Sequence, residues 1–181
     1  MPPAAVPRTV RDFILYYYAK LVIAPSAGLP QKYGFIMDAY QRLRSGAISM
    51  SQYDREVERA ARELGRCVFC DALGETVPVT LVPRHLGGPI GVHNLVQACR
   101  QCAESKGEKD LFVWWCDELR RDKDDMPRIP AGLFLKLAYE KHSVEFGLGR
   151  PCEDIRQIWN GAPNGGRDRP RSRARRTPRA T

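Results

Sequence analysis

Two Cys-x-x-Cys pairs, Cys67-Val-Phe-Cys70 and Cys99-Arg-Gln-Cys102, stand 28 residues apart in a chain of 181. Thiolates at that spacing on a tight turn point into one site, and two such knuckles close a tetrahedral zinc shell. The chain between them must then fold back on itself. A redox Cys-x-x-Cys would need only one pair beside a βαβ unit. The pattern predicts structural zinc held by Cys67, Cys70, Cys99 and Cys102, with no coordination position left for catalysis. Cys116 and Cys152 have no such partners and read as buried free thiols.

On both sides of this stretch the periodicity is helical. Thr9-Val-Arg-Asp12 has the form of a capping box, and Phe13, Tyr16, Tyr17 and Leu21 recur at three and four, which predicts a helix over 9–24 closed by Pro25. A second helix is expected over 33–45, ending at Gly46, and a third from Ser51 to Leu64, ending before Gly65. The three consecutive tyrosines at 16–18 read as core, not as a base-stacking platform. Val77 to Val82 reads as a strand. Helices are expected again over 111–120, from Pro130 to Phe146, and from Glu153 to Trp159, with Trp114, Trp115 and Trp159 packed inside unless they serve an interface. The expected organisation is an N-terminal helical segment (1–65), a zinc module (66–108), a C-terminal helical segment (109–160) and a tail (161–181).

The formal charge of +8 lies mostly in that tail, where seven arginines meet one aspartate. A segment of Gly, Pro, Ser and Arg has almost nothing to bury and is expected to be disordered. The longest apolar stretch, Phe13 to Ala24, is broken by Lys20 and is too short to span a bilayer. Asp12 and Lys20 are also misplaced for a secretory signal. The expectation is an intracellular chain, cytoplasmic or nucleoid, with no membrane partner.

Between the knuckles the residues become recognisable: Val82-Pro83-Arg84, Gly87-Gly88, Asn94-Leu-Val, then Ser105-Lys106-Gly107 after the last cysteine. With the two knuckles, this resembles the zinc-binding HNH endonucleases, the His-Me finger or ββα-metal family, across 67–107. The resemblance implies an α+β protein, mostly helical, built around a zinc-stabilised ββα module. It also implies a hairpin and helix that hold one catalytic divalent ion, Mg or another, beside a phosphodiester. An acid-His pair at the end of the first strand would supply the general base and a metal ligand, and an Asn or His after the last cysteine would complete the ion's site. Asn94 would tie the hairpin loop, with Gly87 and Gly88 in its turn.

The family's spacing from Gly87 and Gly88 to Asn94 is kept, but the acid-His positions fall on Val79 and Thr80, and the final ligand position falls on Ala103. None of these can serve as a base or ligand near neutral pH. A rival register takes Arg84-His85 as the pair, with His93 and Glu104 as a substitute site. It needs a deletion, and Arg has the wrong sign for a metal ligand.

Three functions are therefore carried forward. The first is a zinc protein that binds nucleic acid, DNA ahead of RNA, with nuclease chemistry weakened or lost. Its phosphate contacts would come from Arg84, Arg100, Lys106 and the tail residues Arg167, Arg169, Arg171, Arg173, Arg175 and Arg176. The second is an active metal-dependent endonuclease using His85 as base. The third is a zinc-stapled adaptor in a nucleoprotein complex.

Overall fold

The Thr9 hydroxyl accepts the Asp12 N–H at 3.1 Å and starts the first helix where the sequence places it, while the Asp12 carboxylate accepts the Tyr40 hydroxyl instead of completing a capping box. The computed structural model describes residues 7–159, with side chains at 54, 145 and 146 left out. Helix α1 (Val10–Tyr18) continues through a π-helical stretch (Ala19–Ile23) into α2 (Ala24–Ser26). The expected stop at Pro25 is corrected: the helix passes through it. A proline collides with the carbonyl four residues back and cannot donate to it. Here the Ala24 N–H returns to the Ala19 carbonyl, five residues back, and this wider turn lets the ring pass.

Helix α3 (Tyr33–Ser45) ends at Gly46, whose φ of 80° is the left-handed cap foreseen there. Helix α4 (Ser51–Ala61) stops short of Leu64, because the Arg62 and Glu63 N–H groups bond to Arg59 and Ala60, three residues back, and tighten the last turn.

The only sheet among the described residues pairs β1 (Val77–Thr80) antiparallel with β2 (Leu95–Ala98), Val77 opposite Ala98 and Thr80 opposite Leu95. The strand expected to reach Val82 ends at Thr80, since the next amides turn inward: Leu81 N–H goes to the Asn94 carbonyl and Val82 N–H to the Asn94 side chain, both at 2.9 Å. Helix α5 (Arg100–Lys106) follows β2 and packs back on β1. A short α6 (Leu111–Val113) runs into a π-helical stretch (Trp114–Glu118), and α7 (Arg128–Lys141) into another (His142–Phe146). The helix expected over 153–159 is only a 3-10 turn (Ile155–Gln157).

Helix α7 is the centre. It packs on α1, α4 and the Ala19–Ile23 stretch, and its face from Ala131 to Leu135 is buried. A Cβ at Gly132 would lie 3.2 Å from both Val22 and Val57, so glycine sets how closely α7 meets those two elements. Phe134 lies edge-on to Phe112 with ring centroids 5.2 Å apart, and Trp159 lies 5.9 Å away. Tyr17 and Tyr18 are buried and Tyr16 half-buried, edge-on to Tyr40, as the core reading requires. Trp114, Trp115 and Trp159 are each no more than 2% exposed, which removes them as an interface.

Candidate metal centre

Each knuckle is shaped by backbone hydrogen bonds. In the first, the Cys67 N–H bonds to the Ala72 carbonyl and the Asp71 N–H to the Cys67 carbonyl, both at 2.9 Å, with Asp71 in the left-handed region at φ 62°. The Val68 N–H, bonded to Gln97 at 3.0 Å, fastens this turn to β2. In the second, Cys99 caps α5 with extended backbone, and Cys102 sits in that helix's first turn. Phe69 lies edge-on to Trp114 at 5.0 Å, while Trp114 Nε1 donates to Ser105 Oγ at 3.0 Å, so one indole locks both knuckles to the helical body.

The four Sγ atoms converge within 4.8 Å of one another, the only such group of metal-binding side chains among the described residues. Cys70 Sγ and Cys99 Sγ lie 3.8 Å apart. A tetrahedron with metal–sulfur arms of about 2.3 Å has edges of about 3.8 Å, so the donors fit zinc in type, number and separation. Burial pushes the Cys67 thiol up, but the backbone amides of Cys99, Phe69 and Cys70 outweigh it and bring it down to about 7. Burial and the neighbouring sulfurs hold Cys102 well above its ordinary value, and burial raises Cys70 as well. Four thiolates this close repel, and a divalent cation relieves that repulsion. Cys152 is buried, donating to the Asp154 carbonyl at 3.3 Å, and Cys116 is half-buried, both apart from this group.

The hairpin loop is held by one side chain. Asn94 is 1% exposed; its Nδ2 donates to the Val82 carbonyl at 2.7 Å and the Pro89 carbonyl at 3.0 Å, while its Oδ1 accepts the Val82 N–H. Gly88 lies so close beneath that a Cβ there would stand 1.9 Å from the Val82 oxygen. Gly87, at φ 80°, completes the turn.

Thr80 ends β1, beside a buried Val79, and Ala103 sits on α5 with no polar side-chain atom to offer. His85 is exposed with Nδ1 3.8 Å from Glu108, and His93 lies 3.4 Å from Glu58 on α4. With Glu104 they form no metal-binding group among the described residues.

Arg84 and Arg100 are exposed. Lys106 is not: it is fully buried, its Nζ donating to the Lys109 carbonyl at 3.0 Å, so the expectation that it meets phosphate is corrected. The Ser-Lys-Gly ending reads as a surface in the sequence, but Gly107 turns the chain so that the lysine folds under it, toward Asp110. Burial lowers Lys106 to about 8 and raises Asp110. One Asp110 oxygen caps α6 through the Phe112 and Val113 amides, while the other is buried without a hydrogen bond. Sequence reasoning missed this pair, because nothing in the spacing marks a lysine as buried. Arg167, Arg169, Arg171, Arg173, Arg175 and Arg176, and the disorder expected of the tail, lie outside the described residues.

No family model matches the chain, nor does any curated protein or solved structure. No helix among the described residues is long and apolar enough to cross a membrane.

Proposed function

We propose that this chain is a zinc-stapled HNH-like protein that holds nucleic acid without cutting it. The observation that carries the reading is the contrast inside the hairpin. The four-cysteine group and the Asn94-tied loop are intact, while the positions that would hold and use a catalytic ion are Val79, Thr80 and Ala103. Zinc on Cys67, Cys70, Cys99 and Cys102 supplies folding energy and no open position for water. Affinity comes from cations: Arg84 and Arg100 beside the loop and the second knuckle, with the arginines of 161–181 adding sequence-independent, salt-sensitive contacts to DNA ahead of RNA.

One observation favours a second reading, an active nuclease. Exposed His85 has the Glu108 carboxylate 3.8 Å from Nδ1, a neighbour that would orient the imidazole as a general base on closing to hydrogen-bond distance. A cleavage assay separates the two. Zinc-loaded protein is incubated with plasmid and with single-stranded and duplex substrates, with Mg, Mn or Ni added, beside His85→Ala. Salt-sensitive mobility shifts without cleavage support the binding reading. Cleavage lost in His85→Ala overturns it, and loss of both cleavage and binding leaves the zinc-stapled adaptor.

A further inference from the structure

We infer that the outer face of α4 is a second binding surface, one that follows the phosphate backbone of duplex DNA through Arg55, Arg59 and Arg62; this rests on the nucleic-acid reading above. These residues stand at i, i+4 and i+7, within about 60° of arc on the helix. The buried residues Val57 and Ala61 lie opposite, facing α7 and the core, and all three arginines are exposed. A solvated face of a surface helix ordinarily interleaves both signs. Here Glu56 and Glu58 stand on its flanks.

Glu56 accepts Arg128 at 2.8 Å, on the flank toward α7. Glu58, half-buried, is shared: its Oε1 meets Lys136 at 2.8 Å and His93 at 3.4 Å, and its Oε2 meets Arg62 at 3.4 Å. Arg55 and Arg59 make no ion pair or hydrogen bond among the described residues. Elsewhere several arginines are engaged. In the groove of about 730 Å³ beside the first knuckle, Arg66 pairs with Asp71 and Arg121 stacks 4.6 Å over Trp115.

The dimensions suit a duplex. Seven residues of helix span about 10 Å, about three steps of 3.4 Å along the axis, or four successive phosphates of one strand. Single strands are gripped by stacking bases on aromatic rings, and the one aromatic on α4, Tyr53, is half-buried against Tyr18.

The test is anisotropy of a fluorescein-labelled duplex DNA titrated with the full zinc-loaded chain at several salt concentrations. Replacing Arg55, Arg59 and Arg62 together by Gln is expected to weaken binding by about tenfold or more for every sequence. It should also make the slope of log affinity against log salt shallower by about 2.7, three contacts at about 0.9 each. The matching triple Lys variant, which keeps the point charges, is expected to retain the slope. An unchanged slope in the Gln variant overturns the inference while leaving Arg84, Arg100 and the tail as the contacts. A Gln variant that loses melting temperature but not affinity also overturns it, showing that the arginines only complement the helix C-terminus. A variant that loses duplex RNA but not duplex DNA does the same. If the unaltered chain does not bind duplex DNA, the nucleic-acid reading itself fails.

Discussion

The hairpin between the cysteines and the helical body around α7 are stabilised by different physics. The body encloses large side chains from distant parts of the chain: Ile14 and Tyr18 from α1, Tyr40 from α3, Phe134 from α7 and three tryptophans, all 2% exposed or less. Such a core gains from burial at each contact and needs no single group. The hairpin has two four-residue strands and a few buried aliphatics, Leu81, Val82, Val96 and Ala98 among them. That is too little to order a 28-residue excursion, so under the zinc reading the ends depend on the four sulfurs, and the loop on one asparagine. The large core spreads its stabilisation over many contacts; the hairpin concentrates it in two fastenings.

Removing zinc from the proposed four-cysteine site is the strongest challenge to this contrast. Chelation, or Cys67→Ser, is expected to cost the hairpin about 10 kcal/mol or more, the scale of structural zinc binding. Amide exchange should then rise across 66–107 while far-UV circular dichroism keeps the signal of α1, α3 and α7. Collapse of the whole helical signal would show that the body depends on the hairpin, through Trp114 or through Trp159 Nε1, which donates to the Leu86 carbonyl at 2.7 Å.

Phe134→Ala approaches from the other side. Loss of a fully buried ring packed on Phe112 and Trp159 is expected to cost up to about 5 kcal/mol. Chemical denaturation should show a lower midpoint, with zinc stoichiometry unchanged at concentrations where the protein is folded.

Asn94→Ala tests the second fastening. The Val82 amide and the Val82 and Pro89 carbonyls lose their partner inside a buried turn, at an expected cost of about 4 kcal/mol. The loss should appear first as faster exchange at Leu81 and Val82. If it instead lowers global stability by the full amount, the loop and the body form one cooperative unit.

The smallest expected effect lies where the two regions join. Lys106 is held at about 8, below its ordinary value near 10.5, by burial. Between those two values the unfolded chain binds more protons, so stability rises with pH across that window and is level below it. At about 1.4 kcal/mol per pH unit the ceiling on that rise is about 3 kcal/mol. Melting temperatures of Lys106→Met should lack the alkaline rise; a rise that persists would assign it to another group.

Local chemistry was legible wherever the determinant lies within a few residues. The Thr9 cap, the Gly46 stop, the Tyr33–Ser45 helix and the knuckle turns each follow from neighbours in sequence. The misses share a cause. Pro25 lies inside a helix because a π turn upstream made room for it. The strand ends at Thr80 because Asn94, fourteen residues on, takes the next amides. The arginine spacing at 55, 59 and 62 is visible in the sequence, but which cations Glu56 and Glu58 would meet is not, since Arg128 and Lys136 come from α7.

The sequence by itself determined the four thiols, their paired spacing and the helical periodicity of the flanks. Those are matters of residue identity and local geometry. Only the tertiary structure decided that the four sulfurs meet at zinc-binding separation, that Lys106 is buried beside Asp110 while Arg84 and Arg100 stay in water, and that α4 presents arginine outward. Burial and charge pairing are properties of which surfaces meet, and those surfaces come from segments as far apart as Glu58 and Lys136, 78 residues.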